Sequence, residues 1–319
     1  MADWIELAGR YCQLQRPQLP ATGAQDPRIG HWLSGIDDPL DRPALALIGF
    51  PSEEGIARNG GRTGAAQGPA ALRHWLYRMT PDSRHQAAMQ ALLEQVVDFG
   101  DLLIEDDDLE IAQQRLGELV SACLDDDLLV IVLGGGHEVG YGHFLGYAGA
   151  QCPVHIINVD AHADVRPLRD GLGHSGSPFR QALQHPSGMA LGYSVLGLQP
   201  QSNSLEHIEF LREQQAEYWF IENTNDALIR SVYSRRDENI MATFCLDALD
   251  QSIAPGVSAP SPGGLSLQTW LSAIQAAAAN PHTRSFDIAE LSPPLDQDQR
   301  SARIAALSVW HILRGLALR

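Results

Sequence analysis

Residues 154–164 read VHIINVDAHAD. A short β-branched run ends abruptly in three ligand-type side chains, Asp160, His162 and Asp164. The run is too short for a helix and lacks the strict alternation of a strand with one wet face, so it reads as a strand covered on both faces. Similar runs recur along the chain: LALIGF (45–50), QVVDFG (95–100), LLVIVLG (128–134), YSVLGLQ (193–199), EYWFIE (217–222), NIMATFCLD (239–247) and RSFDIAE (284–290). Between them lie amphipathic stretches that predict helices over 67–78, 108–125, 204–215, 265–279 and 297–316. Strand–helix alternation of this kind predicts an α/β fold of three layers, α/β/α, around a mainly parallel sheet of about eight strands.

The chain has 319 residues, enough for one large α/β domain or two ordinary ones. No convincing linker divides it. The Pro/Gly-rich SIAPGVSAPSPGGLS (252–266) sits between a strand and a helix, so it reads as a shaped loop. Residues 1–44 are Pro-rich and read as an irregular N-terminal wrap, with residues 45–319 as a single domain. With 22 basic against 39 acidic residues the net charge is −17, which speaks against a nucleic-acid partner. Four cysteines at unpaired spacings argue against a disulfide scaffold and a zinc ribbon. The N-terminus carries no signal-peptide pattern and no apolar run reaches spanning length, so a cytoplasmic location without membrane contact is expected.

Open parallel sheets bind ligands at the carboxyl ends of their strands. Four strand ends here carry metal-ligand types: His137 in GGGHE, Asp160, His162 and Asp164 in DAHAD, Cys245 and Asp247 in TFCLDALD, and Asp287 and Glu290 in DIAE. Imidazole with carboxylates suits a divalent first-row metal. Extended backbone would point residues two apart to one side, uniting Asp160 with His162 and Asp164, and Cys245 with Asp247. A polar loop with chance His and Asp is the bland alternative, and the coincidence of four strand ends weighs against it. The glycines of GGGHEVG are not followed by a phosphate-binding pattern and read instead as backbone room beside a site.

With these residues assembled, the chain resembles the ureohydrolase family of arginase and agmatinase, from about residue 45 onward. The shared marks are Gly134-Gly135-Gly136-His137, Asp160 to Asp164, and Cys245-Leu-Asp247-Ala-Leu-Asp250 followed by Ala254-Pro255-Gly256. Within the family the likeness is to formimidoylglutamase, through GIARNGGRTGAAQGPAALR (55–73), SGSPFRQ (175–181), GLQPQSN (197–203) and SFDIAELSPPLDQDQRSARIA (285–305). The resemblance implies an arginase-like fold, a homo-oligomer, and two Mn²⁺ ions. One ion would take His137, Asp160, Asp164 and Cys245; the other Asp160, His162, Cys245 and Asp247.

One position departs from the family pattern: residue 245 is aspartate there and cysteine here. Thiolate favours zinc or iron over manganese. Three readings stay open: Cys245 ligates a different or mixed pair; it stays neutral and one ion is weak or absent; or the chain is a metal-poor, non-catalytic relative. A second departure is Ser175-Gly176-Ser177-Pro178 where arginases carry His-Gly-x-Pro, with His174 one residue earlier. It speaks against an arginine substrate and leaves His174 as a candidate proton shuttle.

The implied reaction is hydrolysis of N-formimidoyl-L-glutamate to L-glutamate and formamide. Asp164 would move protons, and Glu290 would hold the amidinium by charge-assisted hydrogen bonds. A small dianionic substrate calls for arginines. Arg62 ranks first, then Arg58 and Arg166, with Arg180 weaker, while Asn59 and Asn203 would add hydrogen bonds. The alternatives are another guanidino- or amidino-acid hydrolase, or a metal-free binding subunit.

Overall fold

The computed structural model describes residues 3–23, 26–38, 40, 43–105 and 108–319. Among the described residues ten strands form one sheet: β1 (Cys12–Gln13), β2 (Ser34–Gly35), β3 (Leu45–Phe50), β4 (Val96–Leu102), β5 (Leu129–Gly134), β6 (Val154–Val159), β7 (Ala190–Leu198), β8 (Glu217–Phe220), β9 (Asn239–Cys245) and β10 (Thr283–Ala289). Their order is β1-β4-β3-β5-β10-β9-β6-β7-β8, with β2 also on β4. Every pairing is parallel except that of β1 with β4. The eight strands expected from sequence are all present; β1 and β2 are two-residue additions too short to leave a pattern.

Eleven α-helices are found among the described residues: α1 (Asp3–Tyr11), α2 (Glu54–Asn59), α3 (Gly68–Arg78), α4 (Gln86–Leu93), α5 (Leu109–Asp125), α6 (Val139–Gly149), α7 (Pro178–Leu183), α8 (Leu205–Glu213), α9 (Asp226–Ser234), α10 (Leu267–Ala279) and α11 (Arg300–Ala317). Alternate strand residues feed two separate cores. Leu45, Leu47, Ile131, Leu133, Ile157 and Phe244 pack with α3, α4, α9, α10 and α11. Ala46, Ile48, Val130, Val132, Ile156 and Met241 pack with α1, α5, α6, α7 and α8. This is the three-layer arrangement that two-faced burial of parallel strands requires. The reading of residues 1–44 as irregular needs correction, because α1 stacks Trp4 on Phe99 of β4 and is ordered by that burial.

The four strands that end in ligand-type residues, β5, β10, β9 and β6, are adjacent at the centre of the sheet. Their registers are nearly level: Ala289 pairs Cys245, and Val159 pairs Phe244. The carboxyl ends therefore deliver His137, Glu290, Cys245 and Asp160 to one place. After β5 the chain must turn against the loop that follows β3. A Cβ on Gly135 would lie 2.0 Å from the Ser52 carbonyl oxygen, so only glycine fits this close backbone approach. Gly135→Ala is expected to destabilise the protein by about 1–3 kcal/mol, since the obstacle is backbone rather than a movable side chain. Urea unfolding checks this, and an unchanged midpoint would contradict it.

Candidate active site

Asp160 follows β6 directly and is fully buried. Its Oδ1 accepts the backbone N–H of His162 at 2.8 Å, and its Oδ2 accepts Asn158 Nδ2–H at 3.1 Å. The same Oδ2 lies 2.9 Å from His137 Nδ1, and Asp164 Oδ2 is also 2.9 Å from that nitrogen. On the other side His162 Nδ1 is 3.1 Å from Asp247 Oδ2 and 3.5 Å from Asp160 Oδ1. Two donor sets result, sharing Asp160: His137 with Asp160 and Cys245, and Asp160 with His162 and Asp247, each with its donor atoms within 4.8 Å of one another.

The local backbone differs from the extended path expected of DAHAD. β6 ends at Val159, and Asp164 adopts a left-handed conformation with φ 48. β9 likewise stops at Cys245, and a 3₁₀ turn over Leu246–Ala248 swings Asp247 inward. Glu290 has φ 71 and accepts the His137 N–H through Oε1 at 2.9 Å. Left-handed backbone costs a residue with a side chain about 1 kcal/mol or more, and glycine would avoid that.

The electrostatics are those of a negative cluster waiting for cations. Burial pushes the His137 and His162 imidazoles down, yet the flanking carboxylates more than offset it and both end well above the usual histidine range. Burial opposes ionisation of Asp160 as well, and the two imidazoles overcome it to hold Asp160 low. Asp247 is pushed up to about 6 by burial and by Asp160. Burial and the surrounding carboxylates drive the Cys245 thiol and the Glu290 carboxyl well up. His137 Nδ1 and Asp247 Oδ1 are buried without a well-directed hydrogen-bond partner, as atoms that await an ion would be. The donor set fits divalent ions: imidazole and carboxylate suit manganese, and the thiol admits zinc or iron.

The cluster opens into a cavity of about 180 Å³ lined by Asn59, Gly60, Gly61, Arg166, Ser175, Ser258 and Ala259 together with the donor residues and Glu290. Of the arginines expected to meet substrate, Arg166 lines this cavity, its Nη1 donating to Asn59 Oδ1 at 3.1 Å. Arg58 does not; Glu54 and Glu110 neutralise it. Arg62 points away and straps the loop after β9 through the Val257 and Ser258 carbonyls. Arg180 donates to the Val165 carbonyl and stacks on Phe210. Asn203 holds the DAHAD backbone, accepting from Ala163 N–H and donating to Ala161 and Gln199 carbonyls. His174, the candidate proton shuttle, is buried. Its Nε2 meets the Pro167 carbonyl and its Nδ1 accepts Gly176 N–H, so neither ring nitrogen is free for the cavity. Asp287 points beneath the sheet to Thr243 and His143 rather than into the donor cluster. Asp250 closes a turn, accepting the N–H groups of Ser252 and Gly263. Ser175, Ser258 and Gly60–Gly61 lay inside recognised motifs, but nothing in the sequence pattern distinguishes a lining residue from its neighbours.

Comparison with known proteins agrees with this geometry. The chain matches the arginase family over residues 43–314. It is 37% identical over 286 residues to a formimidoylglutamase of Lysinibacillus sphaericus, covering 86% of each chain, and 38% identical over 318 residues to one of Rhodococcus jostii, covering 93% of this chain and 95% of the relative. A crystal structure of Trypanosoma cruzi formiminoglutamase with Mn²⁺ superposes with a TM-score of 0.83 at 31% identity, covering 92% of this chain and 99% of that one. The chain belongs to the arginase family. It is a hydrolase of amidine carbon–nitrogen bonds, of the formimidoylglutamase-like kind.

Glu138, the residue after His137, is also fully buried. Burial pushes its carboxyl up to about 7, against the pull of its own backbone N–H, that of Gly55 and the Ser52 hydroxyl. A folded pKa above the ordinary 4.5 means that the fold favours the protonated form. That contribution is present below pH 4.5 and is lost as pH rises through 7. Glu138→Gln is therefore expected to gain on the wild type by roughly 3 kcal/mol between pH 4.5 and 7.5. Urea midpoints of both proteins at the two pH values check this, and a constant difference would contradict it.

Proposed function

We propose that this chain hydrolyses N-formimidoyl-L-glutamate to L-glutamate and formamide. The observation that carries the reading is a single small cavity joining the buried donor cluster to Glu290 on one wall and Arg166 with Asn59 on another. The naming of its relatives as formimidoylglutamases supports the same substrate. Residues 45–319 would act as one catalytic domain within a cytoplasmic homo-oligomer; the free state of Cys12, Cys123, Cys152 and Cys245 accords with a reducing compartment.

His137, Asp160, Asp164 and Cys245 would hold one ion, and Asp160, His162, Cys245 and Asp247 the other. Manganese is the proposed pair, since the Trypanosoma cruzi relative is described with Mn²⁺; zinc, iron or a single ion are the alternatives that the Cys245 thiol admits. A divalent pair supplies hydroxide near neutral pH by lowering the pKa of water.

The chain's own groups do the rest. Glu290, driven toward neutrality by its own burial and by its acidic neighbours, regains its charge opposite a cationic amidinium and orients the formimidoyl carbon. Asp164, at the cavity wall, takes the proton of the attacking water and passes it to the departing glutamate nitrogen as the carbon–nitrogen bond breaks. Formamide keeps the formimidoyl carbon and its terminal nitrogen. Arg166 meets a substrate carboxylate with its planar fork, and Asn59 holds Arg166 in place.

Formamide release from N-formimidoyl-L-glutamate is the expected activity, and Arg166→Leu should lower its kcat/KM by at least about 30-fold, the loss expected when the charge partner of an enclosed substrate carboxylate is removed. Urea release from agmatine, unaffected by Arg166→Leu, would replace this reading with that of a guanidine hydrolase. Absence of turnover with manganese, iron and zinc alike would make the chain a non-catalytic relative.

A further inference from the structure

Beneath the donor cluster, on the α6 side of the sheet, lies a row of buried polar groups that hydrolysis does not require. Thr243 on β9, Ser285 and Asp287 on β10, and His143 and Tyr147 on α6 are each 0% exposed, in a layer filled mostly by aliphatic and aromatic side chains. Thr243 and Asp287 are register partners on neighbouring strands. The contacts form one continuous line. His137 Nε2 is 2.9 Å from Thr243 Oγ1, Thr243 Oγ1 donates to Asp287 Oδ1 at 2.7 Å, and His143 Nδ1 is 2.7 Å from Asp287 Oδ2. His143 Nε2 then lies 2.6 Å from Ser285 Oγ, which is 2.6 Å from the Tyr147 hydroxyl.

With a single proton on the His143 ring, the hydrogen bonds take one consistent direction. A threonine hydroxyl has a single proton, and Thr243 gives it to Asp287, so Thr243 must accept from His137 Nε2–H. The ring proton that an ion would displace is then the one on His137 Nδ1, the nitrogen that faces Asp160 and Asp164. Asp287 is an acceptor on both oxygens, which requires His143 to donate from Nδ1. His143 Nε2 must then accept from Ser285, and Ser285 from Tyr147. The row thus runs inward to Asp287 from both ends.

We propose that His143 is a positioning residue for the metal centre: its Nδ1–H pins Asp287, Asp287 orients the Thr243 hydroxyl, and Thr243 commits His137 to ligate through Nδ1. A buried carboxylate deprived of one donor would turn to recover it, and the Thr243 proton would no longer be aimed away from His137. The inference rests on the metal reading of the donor cluster and adds to it which groups outside the cluster set its affinity.

The test is Mn²⁺ affinity, measured by competition with a chelating fluorophore on purified full-length protein, with the metal-free melting temperature recorded alongside. His143→Leu is expected to weaken Mn²⁺ binding by 10- to 100-fold, the usual range for loss of an outer hydrogen-bond partner. His143→Asn places an amide N–H where Nδ1–H stood and is expected to stay within about threefold of wild type, while losing the Ser285 contact. Thr243→Val is expected to weaken binding as well, and adding His143→Leu to it should cost little more, because both act through the same link. Unchanged affinity in His143→Leu, or an equal loss in His143→Asn, would overturn the proposal and leave His143 a packing residue. Should His143→Leu not fold, Ser285→Ala carries the test: it frees the imidazole to present either nitrogen, several-fold weaker binding is expected, and unchanged affinity overturns the proposal. A wild-type protein that takes up none of Mn²⁺, Zn²⁺ and Fe²⁺ would overturn the metal reading itself, and this inference with it.

Discussion

Everything at the centre of this molecule depends on Asp160. It is a fully buried carboxylate that touches both histidines of the donor cluster and sits within reach of Cys245 and Asp247. A carboxylate in such surroundings is costly unless cations meet it. His137 and His162 supply charge by holding their protons, and Asp247, Cys245 and Glu290 relieve the repulsion by retaining theirs. Divalent ions would take the place of the protons on the ligand atoms, leaving that of Glu290 to the substrate. The site is therefore held in a state that is poor without metal and well matched to it.

That crowding is affordable only because the sheet is rigid and the turns above it are constrained. Four adjacent parallel strands bring their ends level, so small shifts in any one would open the cluster. The strained backbone at Asp164 and Glu290 carries the two carboxylates that the proposed chemistry uses for proton transfer and amidinium binding. Glycine at 135 lets the loop after β5 pass against the Ser52 carbonyl and so delivers His137.

The sheet was legible in the sequence because parallel strands covered on both faces leave undiluted apolar runs. Helix α6 was not. Its sequence VGYGHFLGYAG has four glycines, and intrinsic propensity argues against a helix. The reason is tertiary: a Cβ on Gly146 would lie 2.3 Å from Val120 Cγ1, so the glycines are what let α6 lie close on α5. The donor residues were legible from their strand-end positions, although the backbone that gathers them is not extended. The substrate side was read less well. Arg62 and Arg58 sit in a motif that reads as a binding loop, yet Arg62 is held by the Val257 and Ser258 carbonyls, and Arg58, besides Glu54 one helical turn away, pairs with the distant Glu110. Such long-range pairing leaves no local pattern. For the same reason the Thr243–Asp287–His143 row appears only once β9, β10 and α6 are assembled.

The most direct test of the account is an anomalous-diffraction map of crystals grown in Mn²⁺. The account expects two peaks on either side of Asp160, one contacting His137 and Cys245 and the other His162 and Asp247. A map with no peak at Asp160, in protein whose fold is intact, would contradict it.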